Sequence, residues 1–175
     1  MRIFFLGDVV GRSGCNAIKK NLPNIINKKK IDFVIVNGEN AADEGVGITE
    51  EITNELFKSG VNVITTGNHV WDKIETLTHI EKEEKLLRPE NLIRPSPGKG
   101  FAIYKIKNGM KIGVLNLMGN VFMKKSEDVF KCANKFLEKN TLKKNYDFLV
   151  VDFHGEITSE KMAMGHFFDG KATLV

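Results

Sequence analysis

Ile31-Asp32-Phe33-Val34-Ile35-Val36-Asn37-Gly38-Glu39-Asn40 is an apolar run that breaks off in a cluster of polar side chains. Ile31–Val36 has the length and β-branched content of a strand buried on both faces, and Asn-Gly is where such a chain turns. The same plan recurs along the sequence. Ile3–Leu6 ends at Gly7-Asp8, Val61–Thr65 ends at Gly67-Asn68-His69, and Phe148–Phe153 ends at His154-Gly155-Glu156. Between these runs the spacing turns helical. Ala17, Ile18, Leu22, Ile25 and Ile26 share one face of a helix over Cys15–Ile26, with Pro23 a local irregularity. Thr49 reads as the N-cap of a helix that puts Ile52, Leu56 and Phe57 on one face and stops at Gly60.

The later segments extend the alternation. Trp71–Leu87 reads as a charged helix closed by Arg88-Pro89, and Asn91–Gly100 as a Pro/Gly-rich loop. Phe101–Ile106 and Lys111–Leu117, joined through Lys107–Met110 with Asn108-Gly109 inside, make a β-hairpin. Ser126 caps a helix through Leu137, a short helix covers Ser159–Phe167, and Ala172–Val175 begins a final strand. This order predicts an α/β fold: a mainly parallel sheet with helices packed on it, plus an antiparallel hairpin. The sequence contains no internal repeat, low-complexity tract or linker, so one domain over 1–175 is expected.

Composition narrows the setting. Hydrophobic residues make up 42% of the 175 and charged residues 27%, ordinary values for a globular chain with a core of its own. No apolar run reaches the length of a membrane span, so no membrane partner is expected. Met1–Val10 lacks the charged lead-in and cleavage site of a signal peptide, which makes the cytoplasm the expected compartment. Cys15 and Cys132 have no neighbours at metal-ligand spacing and read as free thiols. The net charge of +4 comes largely from lysine, in runs such as Lys28–Lys30 and Lys143–Lys144 that fall where helices should end. Cations there suit the helix dipole and read as solvated ends rather than a nucleic-acid patch. The charge still favours an anionic substrate by steering.

The four strand ends carry the functional signal. In an open α/β sheet the carboxyl ends of the strands form the rim where ligands bind. Here they deliver Asp8, then Glu39 and Asn40, then Asn68 and His69, then His154. One aspartate after a strand is an ordinary turn residue. Four coincident clusters of carboxylate, amide and imidazole are a ligand set. A shared carboxylate can hold two divalent cations, and mixed oxygen and nitrogen donors suit manganese, iron or zinc. Gly7, Gly11, Gly38, Gly67 and Gly155 stand beside these residues and fit tight turns. Asp152 and Glu156 flank His154, and either can orient its ring. Trp71 reads as packing, and Glu160 with Lys161 as a solvated helix face. Gly7, Gly11 and Gly14 match neither a Walker loop nor a dinucleotide fingerprint, which disfavours a Rossmann-type cofactor binder.

Gly7-Asp8-Val9-Val10-Gly11, Asn37-Gly38-Glu39-Asn40-Ala41-Ala42, Gly45-Val46-Gly47-Ile48-Thr49, Thr66-Gly67-Asn68-His69-Val70-Trp71-Asp72 and Val151-Asp152-Phe153-His154-Gly155-Glu156 resemble the calcineurin-like metallophosphoesterases. They are most similar to the bacterial YmdB-like branch, along the whole chain. The resemblance implies the layered α/β sandwich of that fold and two metal ions, iron or manganese. It implies that Asp8, Glu39 and Asn40 bind one metal, and that Glu39 bridges to a second held by Asn68 and His154. His69 would be the proton donor to the leaving group. The implied reaction is hydrolysis of phosphodiesters, including 2′,3′-cyclic nucleotides, a class to which RNA also belongs.

The branch carries a Gly-Thr-His-Thr-His segment that gives each metal one more histidine, and Val175 falls where that segment should begin. The fold is therefore expected to be incomplete at its C-terminus, with weakened metal binding. His79 and His166 sit in helical segments and do not substitute. An interrupted reading frame, a partial chain and completion by another chain are all open on the sequence. An uncovered sheet edge would favour pairing with a second copy. The alternative function is a non-catalytic remnant that binds nucleotide or a partner without turnover.

Overall fold

The computed structural model describes residues 1–106 and 109–175; Lys107 and Asn108, inside the expected hairpin turn, lie outside the described residues. The chain divides into two compact units, Met1–Leu87 and Arg88–Val175. The strands fall into two three-stranded sheets, one in each unit, rather than into one. Among the described residues no helix is long and apolar enough to cross a membrane.

The first unit runs β1 (Ile3–Leu6), α1 (Gly11–Lys29), β2 (Phe33–Asn37), α2 (Glu50–Lys58), β3 (Val63–Thr65) and α3 (Thr76–Lys82). Its sheet is parallel in the order β1-β2-β3, with Ile3 opposite Phe33 and Ile35 opposite Val63. The central strand β2 is buried at all five positions, which is why the stretch that fixes the fold reads as an unbroken apolar run. Helix α1 buries Gly11, Cys15, Ile18 and Leu22, an i, i+4, i+7, i+11 stripe. It is longer than its periodicity suggests. Gly11 takes φ +60°, a turn that carries the chain from the β-bridge at Val10 directly into the helix, and Pro23 sits inside it without ending it.

Thr49 caps α2 as expected, its Oγ1 accepting the Ile52 N–H at 3.2 Å. The long charged helix expected over Trp71–Leu87 is not formed: only Thr76–Lys82 is helical. Leu86 instead bridges in parallel to Ile64 on the open edge of β3, and the Leu87 N–H donates to the Ile64 carbonyl. Both leucines are buried there, so an unpaired sheet edge outcompetes helical spacing.

The second unit holds β4 (Phe101–Lys105), β5 (Lys111–Met118), α4 (Val129–Lys139), β6 (Phe148–His154) and α5 (Thr158–Phe167). β4 and β5 are antiparallel, as the hairpin reading requires, and β5 pairs in parallel with β6. Leu115, Leu117, Val129, Phe136, Leu149 and Met164 form the core under these strands, with Phe101 edge-on to Phe136 at 4.7 Å. The cap of α4 is Asp128, whose Oδ1 accepts the Lys131 N–H at 2.9 Å; Ser126 instead accepts from the Asn120 amide. The expected final strand over Ala172–Val175 is reduced to a single bridge between Leu174 and Val150.

Candidate functional site

The main chain carries the first unit's ladder beyond its strands. The Val9 N–H donates to the Asn37 carbonyl, Val10 bridges Asn40, the Gly11 N–H donates to the Asn40 carbonyl, and the Gly38 N–H donates to the Thr65 carbonyl. The loops after β1, β2 and β3 are thereby tied together at the carboxyl edge of the sheet. Three of the expected residues meet on that edge through their side chains. Asn40 Nδ2 donates to Asp8 Oδ1 at 2.9 Å and to Glu39 Oε1 at 3.3 Å. Glu39 is 2% exposed, and its Oε2 accepts the backbone N–H of His69 at 3.2 Å.

The run continues through His69. Its Nδ1 lies 2.5 Å from Asp72 Oδ2, with both side chains partly exposed. Asp72 closes the Thr66–Asp72 motif, where no role is expected of it. The i, i+3 spacing of His69 and Asp72 was the available signal, and only the turn after β3 makes it an orienting contact. Asn68 is half-buried in the same turn.

One atom in this cluster has no protein partner. Asn40 Oδ1 is buried and accepts no hydrogen bond among the described residues. Burying an amide oxygen unpaired costs about 1–3 kcal/mol, and it stands beside two carboxylates. A divalent cation is the species that such a donor set lacks, so the residues present fit one. Among the described residues no three His, Cys, Asp or Glu side chains gather into a metal-binding group. The third donor in this cluster is an amide.

His154 belongs to the second unit. It is the last residue of β6, opposite Met118, half-buried, and its carbonyl accepts the Gly119 N–H at 2.8 Å. Asp152, two residues earlier on the same face of the strand, is half-buried, while Glu156 is exposed. His79 and His166 lie on α3 and α5, away from any strand end, as expected. Both cysteines are free, and burial pushes the Cys132 thiol up to about 11 and raises that of Cys15. Glu160 corrects the sequence reading. It is not a solvated helix residue but a carboxylate only 9% exposed, accepting the N–H groups of Asn120 at 2.8 Å and Val121 at 3.4 Å.

The sequence pattern of the YmdB-like proteins matches residues 4–175. The chain is 43% identical over all its 175 residues to the 2′,3′-cyclic-nucleotide 2′-phosphodiesterase of Bacillus subtilis strain 168, and spans 65% of that relative's length. A crystal structure of a hypothetical protein from Thermus thermophilus superposes with a TM-score of 0.90 at 36% identity, over 99% of this chain and 66% of that one. A novel phosphatase from Mycoplasma pneumoniae superposes with a TM-score of 0.87 at 37% identity, over 98% and 61%. The metallophosphoesterase-type α/β fold that the sequence leads one to expect is thus the fold of this chain, which belongs to the YmdB-like protein family.

Proposed function

We propose that the chain carries the centre of a metal-dependent phosphodiesterase of the cytoplasm, acting on phosphodiesters that include 2′,3′-cyclic nucleotides. Asp8, Glu39, Asn40 and Asn68 would hold divalent cations, iron or manganese, with Glu39 the shared carboxylate. His154 keeps the ligand role that the family resemblance gives it. The observation that carries this reading is the hydrogen-bonded run from Asp8 through Asn40 and Glu39 to His69 and Asp72, with the unpartnered Asn40 Oδ1 inside it. The name of the Bacillus subtilis relative supports the substrate class.

When bound, such cations acidify a water and draw charge from the phosphoryl oxygens. The protein's own groups do the remaining work. Asp72 holds Nδ1 of His69, which fixes the orientation of the ring. Nε2 is then the nitrogen that gives its proton to the oxygen leaving phosphorus. The Glu39 carboxylate on the His69 N–H ties the acid to the donor set, so the two keep register. Free thiols at Cys15 and Cys132 fit a reducing compartment.

The test is metal content together with hydrolysis of adenosine 2′,3′-cyclic phosphate and bis-p-nitrophenyl phosphate in manganese or ferrous buffer. Glu39→Ala and His154→Ala should each lose bound metal and turnover. Full activity surviving both substitutions would sink the assignment.

A further inference from the structure

The loop after β5 sets a large aromatic side chain in water at a conformational cost. Phe122 is 83% exposed, and its backbone sits at φ +59°. The left-handed region costs an L residue about 1–2 kcal/mol, and an exposed phenyl ring recovers none of it by burial. Such a conformation persists only where its surroundings over-determine it. Here they do. The nearly buried Glu160 carboxylate accepts the Asn120 and Val121 N–H groups, while Asn120 Oδ1 accepts the Val129 N–H at 3.0 Å. Asn120 Nδ2 donates to Ser126 Oγ and to the Glu127 carbonyl. A Cβ at Gly119 would meet Glu160 Oε2, so any side chain there would have to displace the carboxylate. The base of the loop is bolted and its tip is presented.

Two features say to what. Lys124 and Lys125 follow Phe122, both exposed, so the tip joins an aromatic face to positive charge. The loop also leaves the sheet beside His154, through the bond from the Gly119 N–H to the His154 carbonyl. An exposed ring next to cations is the arrangement that stacks on nucleobases while the backbone charge is held nearby.

We infer that Phe122 is a stacking platform for the base of a nucleotide substrate, and so a specificity-determining residue. This rests on the phosphodiesterase reading above and adds to it that the base, and not the phosphate alone, is recognised.

The experiment uses the full chain in manganese buffer, with adenosine 3′-monophosphate, which has no diester bond to hydrolyse, and base-free ribose 5-phosphate as probes, measured by calorimetry. Phe122→Ala should weaken the nucleotide about tenfold, within the range of one lost base stack, and leave ribose 5-phosphate unchanged. Phe122→Trp should give an indole whose fluorescence the nucleotide quenches and ribose 5-phosphate does not. Equal effects of Phe122→Ala on both ligands, or tight nucleotide binding without quenching, overturn the inference and leave the phosphodiesterase reading standing. If neither ligand binds the unaltered chain, that reading fails and takes the inference with it. Self-association abolished by Phe122→Ala at unchanged nucleotide affinity assigns the loop to contact between copies, which also overturns it.

Discussion

Asn40→Ala removes one side chain that does two separate things, and the two can be told apart by whether metal is present. Without metal, the substitution deletes the bonds from Nδ2 to Asp8 and Glu39. Bonds to charged groups are worth about 1.5–3 kcal/mol at full strength. Asp8 is exposed and the Glu39 contact is long at 3.3 Å, so the pair together comes to about 1.5–3 kcal/mol. Deleting the unpartnered Oδ1 returns about 1–3 kcal/mol of burial penalty. The metal-free variant should therefore unfold within about 2 kcal/mol of the parent.

With metal the balance changes. Manganese at about 100 times its dissociation constant stabilises the parent by about 2.7 kcal/mol. If the lost donor weakens binding about 100-fold, the same concentration only half-saturates the variant and contributes about 0.4 kcal/mol. For a chain of this size 1 kcal/mol moves the midpoint by about 2–4 °C, so the metal-induced rise in Tm should be smaller by about 5–9 °C. Scanning calorimetry with and without manganese reads both quantities. An undiminished rise in the variant refutes Asn40 as a donor. A metal-free loss above about 3 kcal/mol shows instead that the residue is structural.

Three further outcomes follow from the same geometry. Asp72→Asn puts an amide where a carboxylate oxygen holds Nδ1 of His69, so the ring loses its fixed orientation and kcat should fall by up to about a hundredfold, the low end of a general acid's contribution; steady-state kinetics at unchanged metal content checks this, and an unaltered kcat removes Asp72 from the mechanism. Gly119→Ala drives a methyl into Glu160 and displaces the carboxylate from two N–H groups, so urea unfolding should show a loss of about 2–4 kcal/mol, and a loss under about 0.5 kcal/mol contradicts the clamp. The Cys132 thiol, pushed by burial from 9.0 to about 11, keeps its proton in the fold at a pH where the unfolded chain loses it. That contribution is whole below pH 9.0 and drains away as pH rises through about 11, so urea midpoints should decline over that window, and Ellman's reagent at pH 8 should label the thiol more slowly in the fold than after unfolding.

What the sequence made legible is what the backbone period controls. β2 announces itself because all five of its positions are buried, and Asp8, Glu39, Asn40 and His69 announce themselves because they stand where apolar runs stop. What it hid depends on partners distant in the chain. The charged pattern of Trp71–Leu87 is good helix, and nothing local reveals that Ile64 offers Leu86 an open edge. Glu160 beside Lys161 has the look of a solvated face, yet its partners Asn120 and Val121 lie about forty residues away. Ser126 and Asp128 are both good caps by type, and Asn120 decides between them by claiming the serine hydroxyl.

The two units also organise their functional groups by opposite means. At the carboxyl edge of the first sheet the rim is tied by main chain, through Val9 to Asn37, Gly11 to Asn40 and Gly38 to Thr65. Side chains there are free to be chosen for chemistry, because deleting one leaves those bonds intact. In the loop after β5 the tie is a side chain, Glu160, acting on the backbone of Asn120 and Val121. Deleting it releases the loop itself. On the proposed reading, substitutions at Asp8 or Asn40 should therefore change metal binding without changing the fold, whereas Glu160→Gln should loosen the presentation of Phe122 while leaving Asp8, Glu39 and Asn40 untouched. Hydrogen exchange at the Asn120 and Val121 amides separates the two cases, and unchanged protection there in Glu160→Gln would show that the carboxylate's charge is not what holds the loop.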